Sequence, residues 1–384
     1  MDVKRPEILL VHARGTWSGL PRLPKLLHGA GARVVIFAPP HSDLWRARYI
    51  ARRIEAPPTE ATFASALRAH LATDAQRYAW ILVGDENAFG DLARQSDRAW
   101  LHGWFPVAPD SDSLARVTSK AAFVEAALTL GVPMPQSHVC ASLEQAHAAA
   151  AAIGFPVMLK TACGFGGNGV RMAITSEELH DHFTTLNGRL PLVVQRFEIG
   201  RVGSSQVLFD RGRLACWASS YKLATFPQPF GPSSMRELMV HPDMERTLAA
   251  VGRMTGFHGI SGVDWLHRAD GKLLVLEFNP RPAPVVHLGH LSGADFSAAI
   301  RDLLAGRQTA RPPRDVGPRR VLLFPQHVIR CIEYRQWRDL AAWVWGGSHR
   351  DVPWDQPRLL GSHMVKLSGR LFGAARHKAA RMWR

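Results

Sequence analysis

Asp264, Glu277, Asn279 and Arg281 are the side chains of this sequence whose types and spacing offer chemistry most directly. Two apolar runs, 262–266 and 272–278, flank Ala269-Asp270-Gly271, a sequence suited to a hairpin turn. Glu277 and Asn279 stand two apart, so in a strand both side chains leave the same face. Asp264, on the partner run, can point to that face as well. Two carboxylates and an amide oxygen converging there form an all-oxygen set for a hard cation, suited to Mg2+ bridging nucleotide phosphates. Arg281 follows at once, placed to meet an anion beside the metal. Taken alone, the pattern also fits the surface of an ordinary hairpin.

A second signal lies about 100 residues upstream. The apolar run from Gly154 ends in Lys160, and four glycines follow close together, Gly164, Gly166, Gly167 and Gly169, before another apolar run starts at Val170. Glycine backbone can approach phosphates closely and turn successive N–H groups toward them, and Lys160 adds a point charge for the same phosphates. The loop runs from strand to strand. It has neither the G-K-[ST] ending of a P-loop nor the G-x-G-x-x-G opening of a dinucleotide-binding helix. By itself such a loop is equally a flexible turn.

Together the two signals resemble the ATP-grasp superfamily of carboxylate–amine ligases, over about residues 1–310. The resemblance implies that Lys120, in Ser119-Lys-Ala-Ala-Phe, and Lys160 are the two ATP-side lysines, and that the glycine loop from Gly164 to Gly169 covers the phosphates. It makes the extended segment Leu192-Val-Val-Gln195-Arg196-Phe197 the hinge that offers backbone groups to adenine. It makes Asp264, Glu277 and Asn279 ligands of Mg2+ (or Mn2+), and Arg281 the reaction-centre arginine. The family often has an acidic residue after the hinge for the ribose hydroxyls. Here only Glu198 is available, at an unusual position, which leaves nucleotide choice less defined than nucleotide binding. The implied activity is ATP-dependent activation of a carboxylate as an acyl phosphate and its transfer to an amine or another nucleophile. A nucleotide-binding protein without turnover, and an enzyme with a non-amine acceptor, stay as alternatives. A biotin-linked version would need a carrier lysine, for which this sequence shows no signal.

The composition bounds these expectations. At 384 residues the chain can hold two or three subdomains around real cores. No apolar run approaches the ~20 residues of a membrane span, and residues 8–13 read as a short strand rather than a signal sequence. Cys140, Cys163, Cys216 and Cys331 are scattered, which fits reduced, structural thiols in a cytoplasmic protein. Cys163, beside the glycine loop, reads as a small packing residue, with a nucleophilic role as the alternative. Net charge is +15, and only eight of the 47 basic residues are lysine, so Lys120, Lys160 and Lys222 stand out in the motif regions. The charge points to anionic partners, here small carboxylate and amine substrates. No nucleic-acid motif is present, and the sequence leaves the oligomeric state open.

The elements that must position these residues follow from apolar patterning. Residues 7–105 alternate strand and helix, with strands over 7–12, 33–39 and 78–84 and a helix around 20–30, as in a doubly wound parallel sheet. Asp85 at the third strand's end reads as the cap of the next helix; contact of Asp85 and Glu86 with substrate is the other reading. His12, Arg14 and Gly15, at the first strand's end, form a similar turn. Helices over 120–131 and 142–153, the latter capped by Ser142, flank the strand leading to Lys160. Strands over 204–209 and 213–221, a helix near 242–255 and the metal hairpin follow. The fold expected is thus α/β and α+β: an N-terminal doubly wound domain (1–108), lobe A with the glycine loop (109–190), lobe B with the metal site (191–310), and a C-terminal helical, basic extension (311–384). The Pro- and Gly-rich stretch 221–235 is expected to join a strand to a helix, and its rigid turns and hydroxyls can hold a substrate or acyl-phosphate oxygen. The resemblance implies that it meets phosphate and second substrate, with Lys222 as the catalytic candidate and a plain surface lysine as the other reading. His287 and His290 are expected to pack their loop or touch substrate rather than bind zinc. In the extension, Val365, Leu367, Leu371, Phe372 and Met382 alternate with Lys366, Arg370, Arg376, His377, Lys378, Arg381 and Arg384. This is either a packed terminal helix or a basic amphipathic tail (365–384) making peripheral contact with an anionic membrane.

Overall fold

The computed structural model describes residues 5–14, 19–57, 59–163, 169–186, 189–227, 231–308, 310–314 and 317–382, with side chains up to residue 369. Gly164, Gly166 and Gly167 of the glycine loop, and Gly15 of the first turn, therefore lie outside the described residues.

The N-terminal sheet contains β1 (Glu7–Val11), β2 (Arg33–Ala38), β3 (Ile50–Glu55) and β4 (Tyr78–Val83) in the order β3-β2-β1-β4, all parallel. Strand β1 is buried along its whole length, as a central parallel strand covered on both faces must be. The covering helices are α1 (Leu23–Gly29), α2 (Glu60–Asp74) and α3 (Glu86–Ala93). Strand β3 was not expected from the sequence. At the sheet edge it alternates half-buried Ile50, Arg52 and Ile54 with exposed Ala51, Arg53 and Glu55, and so lacks the apolar run of its neighbours. Because the connections leave β1 toward β2 on one side and β4 on the other, the carboxyl ends of β1 and β4 open a crevice there.

Lobe A holds α4 (Asp112–Thr118), α5 (Lys120–Thr129), α6 (Leu143–Ile153) and α7 (Ser176–Leu186) beside a sheet of β5 (Ser137–Cys140), β6 (Val157–Thr161), β7 (Val170–Ala173) and β8 (Leu192–Arg196), ordered β5-β8-β6-β7. The hinge strand, expected to begin lobe B, is thus bonded inside the sheet of lobe A, antiparallel to both β5 and β6. Its residues Leu192, Val193 and Val194 are fully buried, which fits a central strand rather than a linker.

Lobe B is built on a seven-stranded sheet in the order β13-β12-β9-β10-β11-β14-β15. Its strands are β9 (Arg201–Asp210), β10 (Arg213–Thr225), β11 (Ser233–Met239), β12 (Gly259–His267), β13 (Leu273–Asn279), β14 (Arg319–Leu323) and β15 (His349–Asp351). Helices α8 (Met244–Thr255) and α9 (Phe296–Leu304) pack against it, and α8 stops at Gly256, which takes the left-handed conformation a helix end favours. Residues 221–235 do not join a strand to a helix. Their described residues include the end of β10, to Thr225, and the start of β11, from Ser233, which returns antiparallel with Lys222 opposite Arg236. Strands β14 and β15 show that the C-terminal extension is no appendage to lobe B: β14 pairs with β11 and β15 pairs with β14. After them come α10 (Gln326–Glu333), α11 (Trp337–Trp345) and α12 (Pro357–Met382). The first half of α12 packs inward through Leu359 and Leu367, and Leu367 belongs to the C-terminal core, as in the packed-helix reading of this segment.

One apolar core joins the N-terminal domain to lobe B. Phe89 stacks on Phe257, Phe257 meets Phe278 edge-on, and Phe278 stacks on Phe123 of α5. Most of lobe A's own apolar interior, including Leu159, Leu192 and Val194, forms a separate cluster.

Candidate active site

The hairpin of β12 and β13 sets the centre of the site. Asp264 lies directly opposite Glu277 and Gly262 opposite Asn279, so both carboxylates and the amide share one face. A bulge follows at Asp264/Trp265, and the extra residue is Leu276. Bulges re-aim side chains, and consecutive residues Leu276 and Glu277 both line the crevice, which strict alternation does not allow.

Each carboxylate of this face carries a lysine. Lys120, first residue of α5, places Nζ 2.8 Å from Glu277 Oε1. Lys222 places Nζ 2.8 Å from Asp264 Oδ2. Arg281 Nη2 donates to Asn279 Oδ1 at 3.4 Å and pairs with Glu86 at 2.9 Å. Among the described residues no group of three or more His, Cys, Asp and Glu side chains is placed to hold an ion. The donor set is instead two carboxylates and an amide, all oxygen, and its chemistry fits Mg2+ or Mn2+. The lysines mark where positive charge already sits and where a divalent cation would compete.

Lys160 approaches from lobe A. Its Nζ donates to Gln195 Oε1 at 2.7 Å, Gln195 Nε2 donates to Ser137 Oγ at 2.8 Å, and Ser137 donates to the Pro135 carbonyl. Gln195 is almost fully buried, so this chain fixes where the ammonium points. Burial pushes the Lys160 pKa down, against the pull of Glu277. Gly169, the described glycine of the loop, has φ +87°, and a Cβ there would stand 2.3 Å from Thr161 Oγ1. No other residue fits that position. At the hinge, the amides of Arg196 and Phe197 donate to the Gln136 and Pro156 carbonyls. Glu198 pairs with Arg268 at 3.2 Å.

These groups surround a crevice of ≈ 880 Å³ between the lobes. Its walls include Met158, Lys160 and the hinge on one side and Lys222, Asp264, Glu277, Asn279 and Arg281 on the other. A second cleft of ≈ 1210 Å³ shares Lys160, Gln195, Glu277 and Asn279 and runs out between lobe A and the N-terminal domain, past Glu86, Arg94 and Arg98.

The N-terminal domain contributes through Asp85 and Glu86. Asp85 Oδ1 accepts from the amides of Asn87 and Ala88, capping α3, while Oδ2 accepts from the Ala13 amide and bonds His12 Nδ1. Asp85 is therefore the cap, tying the ends of β1 and β4 together. Glu86, the first residue of α3, reaches Arg281. Burial pushes its carboxyl pKa up, and Arg281 opposes the shift. Arg14 is bound to Asp91.

Sequence reasoning missed Arg236. It is buried beside Lys222, donates to Ser204 Oγ at 2.7 Å and Ser220 Oγ at 2.9 Å, and its Nε has no partner among the described residues. Burial lowers its pKa to about 10, partly opposed by Asp264. A buried guanidinium lining a crevice, with no carboxylate bonded to it among the described residues, can receive an anion. The one available signal was an arginine at an inward position of Ser233-Ser-Met-Arg-Glu-Leu-Met, legible only once that run is known to be a strand. The other expected residues sort differently. Cys163 is exposed rather than packed. His287 bonds Asp351 at 3.0 Å, and His290 bonds the His287 carbonyl, so both histidines serve the loop that leaves the hairpin.

Residues 119–189 match the family model of the carbamoyl-phosphate synthase L chain, ATP binding domain. Among solved structures, the biotin carboxylase domain of 2-oxoglutarate carboxylase from Hydrogenobacter thermophilus, in complex with MgADP, ADP and bicarbonate, is similar with TM-score 0.61 at 20% identity, over 80% of this chain and 71% of that one. N5-carboxyaminoimidazole synthetase from Staphylococcus aureus, complexed with ADP, gives TM-score 0.62 at 15% identity over 82% and 81%. The L-amino acid ligase from Bacillus licheniformis gives TM-score 0.55 at 14% identity over 79% and 75%.

Proposed function

We propose, from the premise that this chain has the ATP-grasp fold, that it is a Mg2+-dependent ligase that uses ATP to activate a carboxylate and passes the acyl group to an amine or another nucleophile. The observation that carries this reading is the convergence, on one crevice, of Lys160, the Asp264–Glu277–Asn279 face, Arg281 and Arg236, with Lys120 reaching Glu277 from the adjoining cleft.

Bound MgATP would supply the γ-phosphoryl group, leaving ADP and a mixed anhydride that the nucleophile opens with loss of phosphate. The residues of this chain divide the remaining work. Lys160, aimed by Gln195, and Lys120 meet the phosphates, and Asp264, Glu277 and Asn279 would hold the metal. Lys222 and Arg281 face the transferring group, where charge moves from the γ-phosphate to the leaving ADP. Glu86 holds Arg281 in place, so the N-terminal domain helps to set the reaction centre. Arg236 anchors the substrate carboxylate or the acyl-phosphate oxygens, with Ser204 and Ser220 fixing its guanidinium plane. Keeping water out of the crevice preserves the anhydride.

The test is a screen of the protein with ATP, Mg2+ and pools of carboxylic acids, including bicarbonate, and amines. Its readouts are ADP formation and condensed products by mass spectrometry. With the carboxylate identified, 18O-labelling of its oxygens should deliver one label to the released phosphate. Phosphate without label, or ADP formation indifferent to every carboxylate, would overturn the proposal. An acyl product on a thiol or hydroxyl would keep the activation step and reassign the acceptor.

A further inference from the structure

Helix α11 has a face that nothing among the described residues covers. No residue of this helix is buried. Leu340 and Trp343 rest on the C-terminal core, where Trp343 stacks on Phe324. Next to that packed side, Trp337, Ala341, Val344 and Trp345 stand at intervals of four, seven and eight residues, one outward stripe of a helix. Trp337 is 59%, Val344 40% and Trp345 85% exposed. Trp354, just beyond β15, is exposed as well. A solvated helix usually puts its charged side chains on such a face.

The rim of this stripe is basic. Arg350 donates to the carbonyls of Val344 and Gly346, holding its guanidinium at the end of α11 beside Trp345. Arg338 is exposed on the helix itself. Residues 311–384 contain fifteen lysines and arginines against five acidic residues, and so carry most of the chain's excess charge. Three of those acids are engaged elsewhere: Asp339 with Arg330, Asp351 with Arg22 and His287, and Asp355 with Lys25. Glu333, at the end of α10, is the other described acid and is exposed, so what surrounds the stripe is aromatic and mainly positive.

We propose that the outer face of α11 docks on an anionic lipid bilayer, with the tryptophans at headgroup depth and Arg338 and Arg350 supplying attraction. Tryptophan is the side chain most suited to that depth, and arginines beside it find lipid phosphates. A second copy of this chain is a poorer occupant, since it would bring two strongly basic faces together. Among the described residues no helix is long and apolar enough to cross a membrane, so the attachment lies on the surface. Each basic residue close to such a surface is worth roughly fivefold in partitioning, an effect that salt removes.

Co-sedimentation of the full chain with vesicles tests this, and it needs neither ATP nor turnover, so its outcome is independent of the proposed ligase activity. Vesicles of phosphatidylcholine are compared with vesicles one-third phosphatidylglycerol, at low and high salt. The wild-type chain should pellet with the anionic vesicles at low salt only, and brominated lipids should quench its tryptophan fluorescence. The double variant Trp337→Ser/Trp345→Ser should unfold at the wild-type temperature, because neither ring packs in the core. Its partitioning should fall at least about tenfold, and the quenching should largely disappear. Absence of wild-type binding to anionic vesicles overturns the proposal. So does equal binding by the double variant, which would leave attraction to the charges alone. A concentration-dependent dimer that the variant abolishes, with no vesicle binding, would assign the face to a second copy instead.

Discussion

Replacing Lys222 by methionine should tighten divalent-metal binding in the absence of nucleotide and weaken it in the presence of nucleotide. In the structure Lys222 Nζ sits 2.8 Å from Asp264 Oδ2, with the side chains 22% and 24% exposed. Point charges about 4 Å apart at an effective dielectric of 20 attract by about 4 kcal/mol. Partial exposure and water reduce the measurable value to about 1–2 kcal/mol. A divalent ion that takes Asp264 as a ligand must displace or tolerate that ammonium. Lys222→Met removes the competitor and keeps most of the stem's packing. Mn2+ alone, titrated by electron paramagnetic resonance, should then bind about 5- to 30-fold more tightly. With a non-hydrolysable ATP analogue the sign should reverse, because the lysine is now missing from a site crowded with phosphate charge. Metal–nucleotide affinity should fall by about the same factor, and turnover further still. Lys25→Met breaks a remote ion pair with Asp355 and is the control, expected to change neither titration. Unchanged Mn2+ affinity without nucleotide, or weakening in both titrations, would show that Lys222 does not guard the metal position.

Other substitutions separate the remaining roles. Glu277→Gln should cut Mg2+-dependent turnover by ~10²–10⁴ with the fold intact; wild-type turnover with ordinary Mg2+ dependence would remove Glu277 from the metal site. Lys160→Ala should raise the Kd for ATP while Arg281→Ala mainly lowers kcat, and equal small effects of both on each parameter would contradict the division of labour. For Arg236→Met, a pKa lowered to about 10 from 12.5, burial less the pull of Asp264, corresponds to a net cost to the charged group on the order of 3 kcal/mol. The two serine hydrogen bonds return a similar amount, so denaturant unfolding should change by less than about 1 kcal/mol. The KM for the carboxylate should meanwhile rise about 10²–10³-fold; a strongly destabilised variant with an unchanged KM would make Arg236 structural. His363 is 2% exposed, neither ring nitrogen has a partner among the described residues, and burial lowers its pKa to about 4. Below pH 6.5 the unfolded chain binds a proton there that the folded chain refuses, so stability falls as pH drops from about 6.5 toward 4. His363→Leu should recover about 2 kcal/mol of the loss between pH 7.5 and 5 in denaturant titrations, and a variant as acid-sensitive as wild type would exclude this group.

The residues of the site were legible in the sequence where local rules act. Alternation placed Glu277 and Asn279 on one face, the turn at Ala269-Asp270-Gly271 paired that strand with Asp264, and the register agrees. Asp85 before an apolar helix gave the cap, and Ser142 gave another. The buried β1 and β4 announced a parallel sheet because a strand covered on both faces must be apolar throughout.

What local rules could not supply is which distant groups meet. The Lys120–Glu277, Lys222–Asp264 and Arg281–Glu86 pairs span 157, 42 and 195 residues, and no spacing in the chain encodes them. Strand β3 escaped detection because an edge strand with three charged residues among six lacks an apolar run. The start of β11 escaped because Ser-Ser-Met-Arg reads as loop until a partner strand gives it a register. Leu276 shares Glu277's crevice only through a bulge, which depends on the pairing of two strands. Arg236 is the sharpest case. An arginine is ordinarily a surface residue, and its value here comes from burial among serines, on strands brought side by side in the sheet. Residue type, alternation and capping are properties of neighbours in sequence. Burial, charge pairing and the sharing of a crevice are properties of neighbours in space, and those only the tertiary structure decides.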